Sequence, residues 1–346
     1  MTDRPRIAIT MGDAAGIGPE ITVKSIADPS ATAKCIPIVL GDARVLERAM
    51  EATGVRLPIR KLQRPADAEG RAGTIELVDY ANVDMARHQW GKIVPGFGAA
   101  AVHYTKEAGR MCVAGEVAGL VSAPLNKEAM HAAGFPYEGQ TEILGELTGT
   151  KPAMLLLLGK MRLMLFTNHM ALRAVCDYIR TDRMLARLRL AHAALRDMGI
   201  AKPSIAIAGL NPHAGENGAF GREEIDQIVP AVELARKEGI DALGPFPADT
   251  VFLKSKDGVY DLTIALYHDQ GLMASKLLGF GTVVTLLIGL PLIRTSTGHG
   301  TAFDIAGKNI ADHRNLLEAL RVAAEVATAR RGATEPGLAA AFGKAA

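Results

Sequence analysis

The stretch that decides the predicted fold is RIAITMGDAAGIGP, residues 6–19. Residues 6–11 are mostly apolar and predict a buried strand, and the glycine-rich residues 12–18 predict a tight turn. Pro19 suits the first turn of a helix, because an amide hydrogen at that position would have no helical partner. The stretch therefore predicts a strand, a turn and a helix in succession, which is the repeating unit of parallel α/β sheets.

The same alternation continues along the chain. Further strands are predicted at residues 35–40, 119–122, 162–166, 204–208 and 262–266, and helices at residues 97–114, 183–198 and 223–238. The apolar run 154–166 is interrupted by Lys160 and Arg162, so we interpret it as two buried strands joined by a turn at residues 159–160. The polar residues 54–73 predict a surface connection, and residues 332–346 predict a chain end that frays. This order predicts a mostly parallel sheet with helices on its faces.

Length and composition bound the kind of protein. A chain of 346 residues is roughly twice the usual domain length and predicts two lobes or one large sheet split by a cleft. The formal charge of +2 and the scattered Lys and Arg residues argue against a nucleic-acid partner. Three cysteines without CxxC spacing, no secretion signal and no apolar run long enough for a bilayer predict a cytoplasmic protein with no membrane partner.

Three histidines share one context, since each follows a strand-like run. They are His169 in FTNH, His213 in NPHAG and His268 in YHDQ. In open α/β sheets ligands bind at the carboxyl ends of strands, so these imidazoles could converge there. Three imidazoles suit zinc or another first-row divalent ion and leave a position for substrate or water. The alternative is that each is an ordinary loop histidine with local hydrogen bonds.

Two glycine-rich turns are candidates for ligand binding. Gly12, Gly16 and Gly18 expose backbone amides at a helix start, where an anion could bind, although an unliganded tight turn fits the sequence as well. The second turn is RTSTGHGTAFDIAG, residues 294–307. Its first residue, Arg294, could pair with a carboxylate or phosphate, and the residues after Arg294 in this turn could hold the adenosine part of a dinucleotide. The alternative is a surface turn whose arginine forms a local salt bridge.

Nine motifs together carry a family resemblance that runs almost from end to end. They are TMGDAAGIGPE, SAPLNKEA, GQTE, NPHAGENG, ADTVF, YHDQG, KLLGF, GLPLIRTS and HGTAFDIAG. On these motifs the chain resembles the 4-hydroxythreonine-4-phosphate dehydrogenase family, including its relatives that act on phosphorylated threonate and erythronate. The resemblance implies an α/β, two-lobed fold of the isocitrate/isopropylmalate dehydrogenase type. It also implies a homodimer whose active-site cleft is completed by the other subunit.

Domain limits and site residues follow from the resemblance. One α/β lobe would comprise residues 1–125 and 290–346 and carry the cofactor-binding turns, and the other would comprise residues 126–289 and carry the metal ligands and dimer contacts. The family's metal-binding positions fall on His169, His213 and His268, and its substrate-binding positions fall on Gln140, Thr141, Lys276, Thr285 and Arg294. Beside these, we predict cofactor binding at Gly12, Gly16, Gly18, His299 and Asp304, and catalysis by Asp249 and Lys276.

The implied reaction is an oxidation, with decarboxylation, of a phosphorylated 3-hydroxy acid such as 4-phosphooxy-threonine, as in pyridoxine biosynthesis. The oxidant would be NAD or NADP, and the divalent metal Zn, Mg, Mn or Co. The metal would lower the pKa of the substrate hydroxyl, and Asp249 would accept a proton or support the metal ligands.

Two positions depart from the family pattern and leave the substrate open. Gln140 stands where the family commonly has His in GHTE, and Thr285 stands where it commonly has Asn. A glutamine forms hydrogen bonds but cannot bring the positive charge of a protonated histidine to a phosphate. The alternatives are therefore a phospho-D-threonate or erythronate dehydrogenase, a cyclic dihydrodiol carboxylate dehydrogenase, and a non-catalytic sensor of a small anion.

Overall fold

A computed structural model describes residues 4–279 and 281–332. Two compact units divide the chain: the described residues of the first are 4–152 and 290–332, and those of the second are 153–279 and 281–289. The predicted α/β class and two-part organisation are confirmed. Residues 126–152 belong to the first unit by their contacts, whereas the sequence-based division assigned them to the second.

Strands and helices alternate along most of the chain. The strands are β1 (Arg6–Thr10), β2 (Ile36–Gly41), β3 (Ile59–Lys61), β4 (Ile75–Asp79), β5 (Gly119–Ser122), β6 (Ala153–Leu158), β7 (Met161–Leu165), β8 (Ser204–Ala208), β9 (Asp241–Phe246), β10 (Leu262–Ala265), β11 (Val284–Ile288) and β12 (Arg294–Thr297). The α-helices are α1 (Gly18–Ala27), α2 (Ala43–Thr53), α3 (Pro95–Val113), α4 (Lys127–Ala132), α5 (Gln140–Thr148), α6 (Leu172–Tyr178), α7 (Thr181–Asp197), α8 (Val229–Lys237), α9 (Ala248–Lys256), α10 (His268–Gly279) and α11 (Arg314–Gly332).

The strands of the first unit pair in the order β3-β4-β2-β1-β5-β12, and all these pairings are parallel. Strand β1 is central, and Ile7, Ala8 and Ile9 are completely buried. Helices α3 and α11 pack against the strands, so the continuous apolar run of β1 is what a strand covered on both faces requires. Thr10 lies opposite Ser122 in the pairing of β1 with β5, which brings the loops after these two strands together.

The strands of the second unit pair in the order β11-β6-β7-β10-β8-β9. Strand β6 is antiparallel to both neighbours, and the remaining pairings are parallel. The hairpin predicted for residues 154–166 is confirmed as β6 and β7. Leu156, Met161, Leu163 and Leu165 of this hairpin are buried together with Ala265 of β10.

The long apolar and amphipathic segments are found where the sequence predicts them. All six predicted single strands lie within one residue of their observed limits, and the three predicted helices lie within two. The helix predicted at residues 223–238 begins with a π-helical turn, Glu224–Ile228, before α8. None of the described helices has the length and apolarity needed to cross a bilayer.

One expectation was wrong, one missed a short strand, and one falls mostly outside the described residues. Residues 54–73 are mostly exposed or half-buried, as expected of a surface connection, but they contain β3, an edge strand of three residues. The buried Glu76 of β4 holds this region by accepting bonds from Arg60 and from the amides of Glu69 and Gly70. The predicted turn 294–307 starts with a buried strand, β12, because its side chains pack beside β5. The predicted frayed end begins at Gly332, the last residue of α11, and residues 333–346 are not among those described.

Candidate active site

Two of the three candidate metal-binding histidines lie together in the second unit. His169 follows β7 and His268 begins α10 directly after β10, and these strands are parallel neighbours, so their carboxyl ends meet. The centres of the two imidazole rings are 5.5 Å apart. His268 Nδ1 lies 2.6 Å from Asp269 Oδ1. Because a carboxylate only accepts, Nδ1 is the donor in this contact, which leaves Nε2 as the nitrogen that can bind a ligand.

The spacing of this pair fits one shared divalent ion. Two imidazoles bound to zinc at about 2.0–2.1 Å with tetrahedral angles have ring centres roughly 5 Å apart, which is close to the observed 5.5 Å. The donor set of His169 and His268, with Asp269 behind His268, is therefore suitable for a first-row divalent ion.

His213 does not join this pair. It follows β8 on the segment Pro212–Gly218, where its φ is +54° and the next four residues also have positive φ. Its ring contacts Phe220. Within residues 4–279 and 281–332, no three His, Cys, Asp or Glu side chains are grouped closely enough to hold a metal ion. The predicted third ligand is thus on a backbone in the left-handed region that non-glycine residues rarely adopt.

Two residues that the sequence reasoning did not single out anchor the loops of His213 and His268. The buried carboxylate of Glu224 accepts bonds from the amides of Leu210 and Asn211, at 2.8 Å each. Gln270 accepts from the amide of Leu266 at 2.6 Å and donates to the carbonyl of Gly209 at 2.9 Å. Gln270 belongs to the YHDQG motif, so its position beside His268 was the signal available for it.

Arg294 occupies the first position of β12 in the first unit and is 5% exposed. Its Nε donates to the hydroxyl of Ser122 at 3.1 Å, and no other hydrogen bond joins its guanidinium to the described residues. Burial lowers the pKa of Arg294 to about 10, and the carboxylate of Glu142 acts in the opposite direction. A buried guanidinium with one neutral partner is a strong attractor for an anion that can reach it.

Gln140 lies in the same unit, at the start of α5. Its Nε2 donates to the carbonyl of Ala123 at 3.0 Å, and its Oε1 lies 3.4 Å from the hydroxyl of Thr105. Arg294 and Gln140 are thus bonded to the adjacent residues Ser122, the last residue of β5, and Ala123, the residue that follows it. Thr141 follows Gln140 and is partly exposed. Neither Ser122 nor Thr105 was a predicted site residue.

The other predicted substrate and catalytic residues are spread over the second unit. Lys276 is exposed near the end of α10, Thr285 is buried in β11, and Asp249 is exposed in the first turn of α9. No hydrogen bond or ion pair connects these three to one another among the described residues. Their roles stay predictions.

The two glycine-rich turns pack against each other in the first unit. The amide of Ile17 donates to the carbonyl of Thr301 at 3.0 Å. A Cβ on Gly12 would lie 2.3 Å from the carbonyl oxygen of Pro124, and one on Gly18 would lie 2.2 Å from that of Met11. Close backbone packing therefore accounts for both glycines, and a cofactor role for them stays a prediction. A cofactor role also stays a prediction for Gly16, for the partly exposed His299 and for the exposed Asp304.

Asp13, inside the first glycine-rich turn, is completely buried. Its Oδ1 accepts a bond from the amide of Ala15 at 2.9 Å, while its Oδ2 has no partner among the described residues. Burial raises the pKa of Asp13 to about 6, and the bond from Ala15 opposes this only in part. The sequence reasoning treated Asp13 as part of the turn and missed it as a titratable group.

Comparison with known proteins gives consistent matches. The family described as "Pyridoxal phosphate biosynthetic protein PdxA" matches residues 33–323. The D-threonate 4-phosphate dehydrogenase of Cupriavidus necator is 46% identical over 328 residues, which cover 94% of this chain and 98% of that protein. A solved 4-hydroxythreonine-4-phosphate dehydrogenase from Burkholderia phymatum has a TM-score of 0.84 and 42% identity, covering 94% of this chain and 99% of that one. For a terephthalate 1,2-cis-dihydrodiol dehydrogenase from Burkholderia xenovorans LB400 the TM-score is 0.65, the identity 32% and the coverage 93% and 98%.

Proposed function

The chain belongs to the PdxA family, and from that premise we propose that it is a dehydrogenase that oxidises a phosphorylated hydroxy acid of the D-threonate 4-phosphate class. The observation that carries the proposal is Arg294, a buried guanidinium whose fork has no carboxylate partner among the described residues. Such a cation costs free energy in the free protein, and an anionic substrate group offsets that cost on binding. A bidentate contact to a phosphate or carboxylate is the geometry that guanidinium favours.

The D-threonate class is favoured over 4-hydroxythreonine by Gln140 and by similarity. The relative named for D-threonate 4-phosphate is 46% identical, and the structure named for 4-hydroxythreonine-4-phosphate is 42% identical. Gln140 presents an uncharged amide, held by Ala123 and Thr105. An amide donor suits a hydroxyl or carboxylate oxygen of the substrate and, unlike a protonated histidine, adds no charge.

We propose that a divalent metal is held by His169, His268 and His213. The close pair His169 and His268 supports this. His213, which does not group with them within the described residues of one chain, is assigned by the family resemblance, in which one subunit completes the other's site. A divalent ion there would supply Lewis-acid polarisation of the substrate hydroxyl. The chain's own contribution is orientation, since Asp269 fixes the tautomer of His268 and Gln270 fixes the start of its helix.

The oxidant in this proposal is NAD or NADP, which accepts hydride from the carbon that bears the hydroxyl while the hydroxyl proton is released. The product is a keto acid with the carbonyl β to the carboxylate, and that arrangement permits loss of carbon dioxide. Lys276 and Thr285 are the substrate contacts that the family resemblance assigns, and Asp249 completes the proposal as the proton acceptor.

The proposal includes a homodimer in a reducing, cytoplasmic compartment. Helix α10 exposes three large apolar side chains at helical spacing, Met273 at 62%, Leu277 at 84% and Leu278 at 44%, and a patch of this kind supports a protein partner such as a second copy. None of the cysteines, Cys35, Cys112 and Cys176, is in a disulfide, as expected of a protein kept reduced.

The proposal is tested with a panel of substrates in one assay. NADH and NADPH formation is measured with D-threonate 4-phosphate, D-erythronate 4-phosphate and 4-phosphooxy-L-threonine, each with and without a chelator and with the divalent ions added back. We expect the first substrate to give the highest kcat/KM and the chelator to abolish turnover. Turnover of a cyclic dihydrodiol carboxylate in preference to all three would overturn the proposal of a phosphorylated substrate. Binding without any turnover would indicate a non-catalytic sensor of a small anion.

A further inference from the structure

The two side chains proposed to recognise the substrate in the first unit are anchored to adjacent residues. Arg294 Nε donates to Ser122 Oγ at 3.1 Å, and Gln140 Nε2 donates to the carbonyl of Ala123 at 3.0 Å. Ser122 and Ala123 are 1% and 0% exposed and sit at the carboxyl end of β5. Two adjacent buried residues therefore anchor the arginine and the glutamine, Ser122 through its side-chain hydroxyl and Ala123 through its carbonyl.

The register of the strands explains why Arg294 needs this anchor. In the parallel pairing of β12 with β5, Arg294 lies opposite Leu120, and Ser122 is two residues further toward the carboxyl end. The guanidinium therefore extends along the sheet toward the loops that follow the strands, and the bond to Ser122 fixes its Nε edge there. Without that bond, no hydrogen bond from the guanidinium to a described residue would fix the rotamer of this buried side chain.

The chemistry of a serine hydroxyl suits this task better than a carboxylate. A carboxylate at this place would pair bidentately with the guanidinium and cancel the charge that attracts the substrate. A neutral hydroxyl accepts one bond from Nε and leaves both terminal nitrogens, the fork of the guanidinium, available to an anion. Ser122 thus orients the cation without neutralising it.

We propose that Ser122 is a positioning residue for substrate binding, holding Arg294 with its fork toward the anionic group of the substrate and in fixed relation to Gln140. The inference rests on the proposed function, because it assumes that Arg294 binds the substrate anion. It goes beyond that function in assigning the recognition geometry to the end of β5 rather than to Arg294 alone.

Gln140 is oriented from the same segment. Thr105 has one hydroxyl proton and lies 2.9 Å from the carbonyl of Ala101 but 3.4 Å from Gln140 Oε1, so its proton goes mainly to Ala101. The firm anchor of Gln140 is therefore the bond from its Nε2 to Ala123. The second hydrogen of Nε2 is then the donor that this side chain offers to a ligand.

The matched pair Ser122→Ala and Thr10→Val tests the proposal. Thr10 lies opposite Ser122 on β1, is equally buried at 1%, and its hydroxyl has no partner among the described residues. Both variants delete one buried hydroxyl at the same level of the sheet, but only the first removes the anchor of Arg294. We measure kcat and KM with the preferred phosphorylated substrate, and the concentration of inorganic phosphate that gives half of the maximal thermal stabilisation.

For Ser122→Ala we expect KM and the phosphate midpoint to rise by about tenfold and kcat to stay within about twofold. Thr10→Val is expected to leave all three values unchanged. Ser122→Cys, which keeps a weak acceptor in nearly the same volume, is expected to fall between Ser122→Ala and the wild type, and it replaces Ser122→Ala if the alanine variant does not fold. An equal phosphate midpoint in the wild type, Ser122→Ala and Ser122→Cys overturns the inference.

The outcome separates this inference from the proposed function. A wild-type protein that binds phosphate but oxidises no phosphorylated hydroxy acid contradicts the proposed reaction, and the phosphate midpoints of the variants still decide the role of Ser122. A wild-type protein that is active, with variants whose KM does not move, contradicts the role of Ser122 alone.

Discussion

Asp13 and Arg294 are buried ionisable side chains of the first unit that lack an ion pair among the described residues. Asp13 is 0% and Arg294 5% exposed, and within the described residues neither is paired with an ion of opposite charge at contact distance. A buried charge without a partner destabilises the native state unless it is neutralised or used. Proteins retain such side chains mainly at functional positions, so both are better interpreted through ligand binding or protonation than through stability.

Replacement of Arg294 by Met should separate stability from binding. Methionine fills a similar volume without charge, so the variant no longer carries the free-energy cost of a buried cation without an ion partner. We expect the Arg294→Met variant to unfold at or above the denaturant midpoint of the wild type and to lose the stabilisation that phosphate confers. Chemical unfolding with and without phosphate measures both effects, and a midpoint clearly below that of the wild type in phosphate-free buffer would contradict the prediction.

Asp13 should give the protein a pH dependence of its own. Its pKa is raised from 3.8 to about 6 in the folded protein, so the folded state binds the proton more tightly than the unfolded state. Stability from this group is therefore highest below pH 4 and falls as the pH rises from 4 to 6, by about 3 kcal/mol in total. The Asp13→Asn variant keeps the bond from Ala15 but has no group here that titrates. The difference in the free energy of unfolding between this variant and the wild type should therefore shift in favour of the variant as the pH rises from 4 to 6.

Urea unfolding of the wild type and of Asp13→Asn at several pH values between 4 and 7 measures the difference. Asp241→Asn, at an exposed carboxyl at the start of β9, is the control and should follow the wild type at every pH. A constant difference between wild type and Asp13→Asn over this range would show that Asp13 keeps its ordinary pKa.

At the scale of elements, the sequence predicts those strands and turns that hydrophobic periodicity and turn-forming residues determine locally. The apolar runs of β1, β5 and β8 and the turn after β1 are evident from composition alone, and their limits were predicted to within one residue. Strand β3 was missed because it is three residues long and mostly polar, and its strand conformation depends on pairing with β4. Strand β12 was taken for a turn, since its polar residues RTST are buried only through contact with β5 and α11.

The turn after β1 should tolerate no side chain at Gly12. Its φ is +75°, and an added Cβ would lie 2.3 Å from the carbonyl oxygen of Pro124, in the neighbouring loop. Strained backbone and displacement of that loop should together cost the Gly12→Ala variant about 2–4 kcal/mol. Gly96→Ala, in the first turn of α3 with no atom within 4 Å of the new Cβ, should be neutral or stabilising by up to about 1 kcal/mol. Equal unfolding midpoints for the two variants would contradict this account.

At the scale of the whole molecule, the candidate site could be predicted in its parts but not in its assembly. The motifs identify the family and the positions of its functional residues, and the structure brings together His169 with His268 and anchors Arg294 and Gln140 to one segment. The backbone of residues 212–218, on which His213 lies, is not determined by any periodic pattern. Ser122 and Thr105 escaped prediction because a buried hydroxyl has no sequence signature apart from the strand or helix that contains it.

The proposed homodimer depends on a surface that a single chain leaves exposed. Leu277 on α10 is 84% exposed, and Met273 and Leu278 extend the same apolar patch. If a second copy covers this patch, the carboxylate of a Leu277→Glu variant would be buried without a partner. The dissociation constant of the dimer should then rise by a factor of at least about a hundred. Leu253→Glu, at a 61% exposed leucine on α9, is the matched control and should remain dimeric. Light scattering over a range of protein concentrations distinguishes the two variants. If the subunits complete each other's sites, the activity per chain of Leu277→Glu should also fall on dilution, whereas the activity per chain of Leu253→Glu should stay constant. A Leu277→Glu variant that stays dimeric would place the subunit contact elsewhere, and dissociation of both variants would show that the effect is not specific to this patch.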